Sequence, residues 1–295
     1  MRVAVTGSQG QVVQSLIERA RERGIEIVTL SRPAFDLTKP STIFALVRTV
    51  APEVIVNAAA YTAVDKAETD EPLAARINGA GAGAVAQAAA RIGIPVLQIS
   101  TDYVFDGRID RPYREVDATS PLSAYGRSKL AGERLVCAAN PRHVILRTSW
   151  VYSPFGANFL RTMLRLGETR DTISVIDDQI GCPTSAHEIA DAVLDICAAL
   201  QARPRRDDLF GVFHFAGAGA ASWADFAEAI FAEAAHLGRR AVAVQRITTA
   251  QYPAAARRPA NSRLDTRKLT DTYGVMPRAW RSPLPSIVER ALANR

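Results

Sequence analysis

The first half of the chain alternates short apolar segments with helix-like segments, and this alternation constrains the fold more than any other feature. The segments RVAVTG, IEIVTL, EVIVNAAA, PVLQIST and HVILRTSW are apolar on both faces. Strands buried on both faces are typical of a parallel sheet that is covered by helices. The intervening segments, such as QVVQSLIERARERG, have helical spacing and often end in glycine. The sequence therefore predicts an α/β protein with a doubly wound parallel sheet.

The regular alternation stops after Trp150, and this break predicts a second, smaller lobe. Helix-like segments then dominate, with short strand-like runs such as TISVIDDQIG and GVFHFAG. We expect residues 1–150, together with about 172–216, to form a Rossmann-type sheet domain. Residues 151–171 and 217–295 are expected to form the second lobe. The cleft between such a lobe and the carboxyl edge of the sheet is the expected binding site.

The charge and the cysteine content argue against several classes of protein. The net charge is +6, but the basic residues are spread along the chain without a continuous stripe or interleaved aromatic residues, so we do not expect nucleic-acid binding. No run of 18 apolar residues and no signal peptide is visible, so neither a membrane span nor export is expected. Three cysteines without a CxxC pair fit reduced thiols. We expect a cytoplasmic protein without a metal site.

A glycine-containing turn joins the first strand to the first helix. Gly7 and Gly10 in AVTGSQGQVVQ would let backbone N–H groups approach a pyrophosphate at the helix N-terminus. The third small residue of such a motif would fall at position 13, where this chain has Val13. The turn lies at the first strand-to-helix connection of the sheet. This position supports dinucleotide binding more strongly than the residue pattern of the turn does.

The end of the second strand indicates which dinucleotide the sheet would bind. No acid is present there to accept a ribose 2′-hydroxyl, whereas Arg32 could accept a 2′-phosphate. We therefore expect NADPH in preference to NADH, with NADH still possible. Asp36 and Leu37 are placed to border the adenine. A solvated surface role for Arg32 is the alternative.

The stretch SPLSAYGRSKLAGERL places Tyr125 four residues before Lys129, on one face of a predicted helix. One interpretation is a surface helix whose lysine stem lies on the tyrosine ring. The other is a tyrosine whose phenol is made more acidic by a neighbouring ammonium group, which would suit it for proton transfer.

The motifs TGSQGQ, NAAAYTAVDKAE, STDYVFDG, SPLSAYGRSKLAGE, RTSWVYSPFGANF, DDQIGCPTS and RRPANSRLDT occur in this order. Together they resemble the extended short-chain dehydrogenase/reductases, and within them the dTDP-4-dehydrorhamnose reductase family, over nearly the whole chain. The resemblance implies an NADPH-dependent enzyme that reduces the C4 ketone of dTDP-4-dehydro-β-L-rhamnose to give dTDP-L-rhamnose. It also implies the catalytic roles of Thr101, Tyr125 and Lys129. Tyr125 would be the general acid, Lys129 would lower the pKa of its phenol, and Thr101 would hold the ketone oxygen.

The same resemblance implies the binding residues on either side of the reaction centre. Cofactor contacts are expected from the catalytic Tyr125 and Lys129 and from Gly7, Gly10, Gln11, Val12, Arg32, Asp36, Leu37, Ala58, Ala59 and Tyr61. Contacts with the nucleotide sugar are expected from Thr101, Asp102, Tyr103, Val104, Trp150, Arg258 and Asn261. The alternatives for Trp150 and for the last two residues are a core tryptophan and an ordinary surface loop.

Two questions stay open at this point. Some family members hold magnesium between subunits through acidic side chains, but the matching positions here carry Ser15 and His187. A monomer and a metal-free homodimer are therefore equally compatible with the sequence. The alternatives for function are a reductase of a related nucleotide-linked 4-keto-6-deoxysugar and a non-catalytic subunit like the regulatory subunit of methionine adenosyltransferase.

Overall fold

A computed structural model describes residues 1–293 of the chain. Its strands are β1 (Arg2–Thr6), β2 (Glu26–Leu30), β3 (Val54–Asn57), β4 (Val96–Thr101), β5 (His143–Thr148), β6 (Val151–Tyr152), β7 (Thr172–Ile176), β8 (Ile180–Gly181), β9 (Thr184–Ser185), β10 (Gly211–His214), β11 (Ala221–Ser222) and β12 (Ala243–Ile247). Six of them form one sheet in the order β10-β5-β4-β3-β1-β2, in which every neighbouring pair is parallel. The predicted parallel sheet is thereby confirmed.

The helices are α1 (Gln11–Glu22), α2 (Pro40–Val50), α3 (Val64–Ala67), α4 (Glu71–Ala74), α5 (Ala82–Arg91), α6 (Ala124–Ala139), α7 (Phe159–Leu166), α8 (Ala186–Ala202), α9 (Trp223–His236), α10 (Arg267–Tyr273) and α11 (Leu284–Ala293). A π-helical segment, Ala75–Gly81, joins α4 to α5. A short 3₁₀ turn, Asp102–Val104, follows β4 directly. This turn carries the chain from the carboxyl edge of the sheet towards the second lobe.

Both faces of the central strands of the sheet are buried, which explains why β1, β3, β4 and β5 are mainly apolar. Alternate residues of β1 point to opposite sides, so Val3 packs towards α1 and α8 while Ala4 packs towards α2 and α5. Leu16 of α1 and Val85 of α5 are fully buried in the respective layers. Each aliphatic side chain buried in this way contributes about 1.5–3 kcal/mol to the free energy of unfolding. The structure is therefore a doubly wound α/β fold.

The second lobe has its own apolar core, built from α7, α9, α11 and the pair β7–β12. The predicted division placed about 172–216 with the central sheet, and α8 and β10 do pack there. However, β7 pairs with β12 and β8 pairs with β11, so the chain rejoins the central sheet domain later than the sequence suggested. The last two residues of the predicted second lobe, 294 and 295, lie outside the described part of the chain.

None of the helices formed by residues 1–293 is both long enough and apolar enough to span a lipid bilayer. The three cysteines, Cys137, Cys182 and Cys197, are all free thiols, and the last two are buried.

Candidate active site

The loop of residues 7–10, called here the phosphate loop, has the geometry that an anion site requires. Gly7 adopts φ +92°, which favours glycine, and its N–H donates to the carbonyl of Leu30 at 2.7 Å. Gly10 precedes α1, whose first turn has neither a side-chain cap nor an acidic residue. The backbone N–H groups at this helix end can therefore receive a phosphate. Val13 is buried in the core, so a larger residue is accommodated at the third position of the motif.

Gln11 connects the phosphate loop to the second lobe. Its side-chain nitrogen donates to the carbonyl of Val151 at 3.2 Å, and its side-chain oxygen accepts from Ser153 at 3.0 Å and from Asn158 at 3.2 Å. The polar atoms of the Gln11 side chain thus already have partners within the protein. The backbone N–H of Gln11 is the group that could contact a pyrophosphate. Val12 lies beside it and is partly buried against the core.

The residues expected near the adenosine differ in exposure and in the hydrogen bonds that they already form. Arg32 is exposed at the end of β2. The Asp36 carboxylate accepts hydrogen bonds from the N–H and the hydroxyl of Thr38, at 2.9 and 2.8 Å, and these bonds lower its pKa. Leu37 is buried in the core. Of these three residues, Arg32 is the one with an exposed, positively charged side chain.

The turn after β3 lies beside the phosphate loop. Ala59 donates its N–H to the hydroxyl of Thr6 at 2.9 Å, and Ala58 precedes it in a partly buried position. The backbone of Tyr61 exchanges two hydrogen bonds with the side-chain amide of Asn78, at 2.8 and 3.0 Å. These bonds fix the predicted cofactor residues of this turn at the carboxyl edge of the sheet.

Thr101, Tyr125 and Lys129 come together at the carboxyl end of β4. Thr101 is the last residue of that strand, and Tyr125 lies in the first turn of α6, which is capped by the Ser123 hydroxyl. Lys129 is 5% exposed, and its ammonium group donates to the carbonyl of Ile99 at 2.7 Å. The surface-helix interpretation of the Tyr-x-x-x-Lys spacing is therefore wrong for the lysine, which is buried.

Two glycines let α6 approach its neighbours closely enough for this arrangement. A Cβ atom on Gly126 would overlap with the carbonyl oxygen of Tyr103, and one on Gly132 would overlap with that of Asn78. The side chain of Asn78 also donates to the hydroxyl of Ser128 at 2.9 Å. Close backbone packing therefore sets the position of the helix that carries the tyrosine and the lysine.

The electrostatics of Tyr125 differ from the sequence-based expectation. Burial raises the pKa of its phenol and the charge of Asp102 raises it further, while hydrogen bonding to Thr101 opposes both effects. Because the ammonium group of Lys129 is turned to the carbonyl of Ile99, it does not outweigh these effects. The expected lowering of the tyrosine pKa is therefore not seen in the protein alone. A phenol that stays protonated is nevertheless suited to donate a proton.

Asp102 is the most strongly perturbed carboxyl group near this centre. It is 3% exposed, and burial raises its pKa to about 7 against hydrogen bonds from Ser262 and Thr101. The Thr101 hydroxyl donates to one of its oxygens at 3.0 Å. Since threonine has a single O–H donor, its bond to Asp102 couples the two side chains. This coupling was not anticipated from the sequence.

Aromatic residues form the side of the site that faces the second lobe. Tyr103 meets Tyr125 edge to face, with ring centroids 5.8 Å apart. Trp150, 9% exposed and held at φ +46°, stacks on Trp223 at a centroid distance of 3.5 Å. Such a backbone conformation is uncommon for a bulky residue and often marks a functional position. Val104 differs, because its side chain is fully buried in a separate apolar cluster.

The loop of residues 251–266, called here the basic loop, contacts the segment that follows β3. Arg258 forms an ion pair with Asp65, from the region after β3, at 2.6 Å, and Ala256 donates its N–H to the same carboxylate at 3.0 Å. The side-chain amide of Asn261 donates to two backbone carbonyls, those of Ile109 and Arg111. Arg258 thus remains a contact candidate for a diphosphate, whereas the amide of Asn261 is already used to fold the loop.

Neither Asp65 nor Glu133, which follows Lys129 by one helical turn, was anticipated from the sequence. The only available signal for Glu133 was its spacing, since Tyr125, Lys129 and Glu133 repeat every four residues. The two positions that match magnesium ligands in some family members, Ser15 and His187, carry polar side chains that contact other residues of the protein. Ser15 donates to the backbone of its own helix, and His187 contacts Glu18 at 3.3 Å.

Comparison with known proteins shows the family. The model of the RmlD substrate binding domain family matches residues 1–293. A curated dTDP-4-dehydrorhamnose reductase from Sinorhizobium fredii is 50% identical over 280 residues, which cover 95% of this chain and 94% of that protein.

Solved structures agree over the full length. A dTDP-4-dehydrorhamnose reductase from Clostridium acetobutylicum is 36% identical with a TM-score of 0.90, and the match covers 100% of both chains. The enzyme of the same name from Bacillus anthracis, solved in complex with NADP, is 34% identical with a TM-score of 0.88, and the match covers 100% of this chain and 99% of that one. The chain belongs to the dTDP-4-dehydrorhamnose reductase family.

Proposed function

We propose that this protein reduces the C4 ketone of dTDP-4-dehydro-β-L-rhamnose to dTDP-L-rhamnose, with NADPH as the hydride donor. The observation that carries the proposal is the meeting of Thr101, Tyr125 and Lys129 at the carboxyl end of β4, beside the phosphate loop. Relatives named for this activity match the whole length of the chain.

The residues present fit a nicotinamide dinucleotide. Gly7 and Gly10 leave the N-terminus of α1 open to a pyrophosphate, and Arg32 is exposed where a 2′-phosphate would lie. The related Bacillus anthracis enzyme was solved with NADP. These observations favour NADPH, and NADH is the alternative. When bound, the cofactor would supply the hydride.

The chain's own residues would then control the proton. Tyr125, whose pKa is raised mainly by burial, donates a proton to the oxygen that becomes the product hydroxyl. Lys129, held by Ile99, places a positive charge near the reaction centre, and this charge favours the developing alkoxide. Thr101 orients the ketone oxygen towards the phenol. Each of these roles is a proposal for the named side chain.

The cleft walls suggest how the nucleotide sugar is held. Tyr103 and Asp102 would border the deoxysugar together with Trp150, and Arg258 would contact the diphosphate. Val104 would contribute through its backbone only, because its side chain is buried elsewhere. The protein would act as a monomer or a homodimer in the cytoplasm.

The test is the oxidation of reduced nicotinamide by purified protein supplied with dTDP-4-dehydro-β-L-rhamnose. The absorbance of NADPH and of NADH would be followed, and the product identified by chromatography and NMR. Oxidation with dTDP-L-rhamnose as product supports the proposal. Oxidation with a different C4 stereoisomer would instead support a related sugar reductase. Cofactor binding without turnover on any 4-keto-6-deoxysugar would support a non-catalytic role.

A further inference from the structure

Consecutive residues of β4 contact successive turns of α6. The three pairs are Thr101 with Tyr125, Ile99 with Lys129, and Ser100 with Glu133. In the third pair the Ser100 hydroxyl donates to the Glu133 carboxylate at 2.5 Å. The face of α6 that carries the tyrosine and the lysine therefore extends one turn further, to a carboxylate that the proposed reaction does not use.

Glu133 is anchored by a buried ion pair. Arg147 of β5 donates to both of its oxygens, at 2.9 and 2.7 Å, and both side chains are 5% exposed. On its other side Arg147 stacks over Phe105 and contacts the ring of His214 at 3.5 Å. Burying two charges is expensive, and hydrophobic residues often stabilise a fold equally well. The pair therefore fixes the Glu133 carboxylate one helical turn beyond Lys129.

The other charged and titratable groups around Lys129 are divided among the elements that pack there. Those that pack against this face of α6 or against its partners are Tyr125 and Glu133 on the helix itself, Asp102 and Tyr103 after β4, Tyr61 after β3, Arg147 on β5 and His214 on β10. Asp102 acts on Tyr125, and Arg147 faces Glu133. Glu133 is the group whose charge acts on the lysine.

We propose that Glu133 is a positioning residue for the reaction. Held by Arg147 and Ser100, its carboxylate keeps the buried Lys129 side chain in the ammonium form and fixes the turn of α6 that carries it. The inference deepens the function proposed above, on which its catalytic consequence rests.

The physical reason is the balance between burial and charge at the lysine. Burial lowers the pKa of Lys129 to about 8, and the negative charge of Glu133 opposes that decrease. Without the carboxylate the pKa of Lys129 would fall further, and a larger share of the lysine would be uncharged at neutral pH. The part of the site that favours a developing alkoxide would then be lost at working pH.

A direct test uses protein labelled with ¹⁵N-lysine and needs no substrate. The chain has four lysines, of which Lys129 is the buried one, so its resonance can be assigned with the variant Lys129→Arg. In Glu133→Gln we expect the pKa of Lys129 to fall by about one unit or more. The matched control is Glu188→Gln, which removes a second buried glutamate that is paired with an arginine, Arg278. This control should leave the lysine titration unchanged.

A second variant covers the risk that Glu133→Gln folds poorly, because it leaves Arg147 buried without its partner. The double variant Glu133→Gln with Arg147→Met removes both charges, and because loss of the Arg147 charge itself favours the ammonium form, the downward shift of Lys129 should be smaller than in Glu133→Gln alone. In each variant the alkaline limb of the kcat–pH profile should move to lower pH by the amount that its own Lys129 titration shifts.

The possible failures are distinguishable. An unshifted Lys129 titration in both folded variants, while the wild-type enzyme turns over, would overturn this inference alone. If the wild-type protein shows no reductase activity, the proposed function fails, and the catalytic consequence of Glu133 fails with it. A shifted lysine titration with an unmoved alkaline limb would overturn the role of the ammonium form in catalysis.

Discussion

The guanidinium of Arg258 donates to the carboxylate of Asp65 at 2.6 Å and so joins the basic loop of the second lobe to the segment that follows β3. The arginine is only partly exposed, and Tyr103 lies close enough for its phenol to influence the arginine pKa. The pair therefore links the second lobe to the sheet domain near the proposed nucleotide-sugar site. A guanidinium has five donors, so it can hold a carboxylate and also contact a diphosphate.

Replacement of Arg258 by alanine should weaken substrate binding without affecting the cofactor. A hydrogen bond to a charged group contributes about 1.5–3 kcal/mol, so we expect KM for the nucleotide sugar to rise roughly ten- to hundredfold. Arg257→Ala removes the same charge from the neighbouring exposed position and serves as the control. Equal effects of the two variants in steady-state kinetics would show that Arg258 acts only through net charge.

Removal of the Tyr125 hydroxyl should abolish most turnover. General acid catalysis contributes roughly 10²- to 10⁴-fold, so Tyr125→Phe should lower kcat by that factor. NADPH affinity, measured by fluorescence titration, should stay close to that of the wild type. Tyr252→Phe, at an exposed tyrosine of the basic loop, is the control. Near-normal kcat in Tyr125→Phe would assign proton donation to another group.

Asp102 should make the folded protein less stable as the pH rises. Burial raises its pKa from 3.8 to about 7, so between these values the folded state retains a proton that the unfolded state has lost. The free energy of unfolding therefore falls across this range, by up to roughly 4 kcal/mol from this group. Urea unfolding at several pH values should show a shallower decrease for Asp102→Asn than for the wild type. Asp110→Asn, at a fully exposed aspartate, should retain the wild-type dependence; an equally shallow decrease there would remove Asp102 as the cause.

The central sheet was predictable because its strands carry a local signal. β1, β3, β4 and β5 each carry apolar residues on both faces. This pattern can be recognised in the sequence without knowing which strands pair with one another. The pairing of β7 with β12 was not predictable. The two strands are separated by about seventy residues, and an apolar run does not specify which sheet it joins.

For the reaction centre, the identities of the residues could be predicted from the sequence. Their burial, charge partners and pKa values could not. The spacing of Tyr125 and Lys129 is local, so the motif placed both on one face of α6. The direction of the tyrosine pKa depends on burial and on Asp102, and the pairing of Glu133 with Arg147 joins two secondary-structure elements. These properties arise only after the helix packs against the sheet, so single-sequence motifs could not reveal them.

Arg32 should determine the preference between the two nicotinamide cofactors. It is exposed at the end of β2, and a charge-assisted contact with the 2′-phosphate exists only for NADPH. Arg32→Ala should therefore raise Kd for NADPH roughly tenfold or more while changing that for NADH little. Arg21→Ala, at an exposed position of α1, controls for the loss of one positive charge. An equal loss of affinity for NADPH and for NADH would mean that Arg32 does not contact the 2′-phosphate.

Gly132 and Gly79 offer a matched pair at the contact between α6 and the π-helical segment. A Cβ atom on Gly132 would overlap with the backbone carbonyl of Asn78, whereas one on Gly79 would lie 3.7 Å from the Cβ atom of Ala131, an ordinary contact distance. Gly132→Ala should therefore lower the free energy of unfolding by about 1–3 kcal/mol. Gly79→Ala should be neutral or slightly stabilising, because alanine loses less backbone entropy than glycine on folding.

The same pair tests whether the position of α6 governs catalysis. The carbonyl that meets Gly132 belongs to the residue whose side chain also holds the backbone of Tyr61, so a displaced helix would disturb both Lys129 and the turn after β3. We expect Gly132→Ala to lower kcat at a temperature where the variant is still folded, and Gly79→Ala to retain wild-type kcat. Full activity of folded Gly132→Ala would show that the site tolerates movement of α6. Urea unfolding and steady-state kinetics on the two variants, measured side by side, separate stability from alignment.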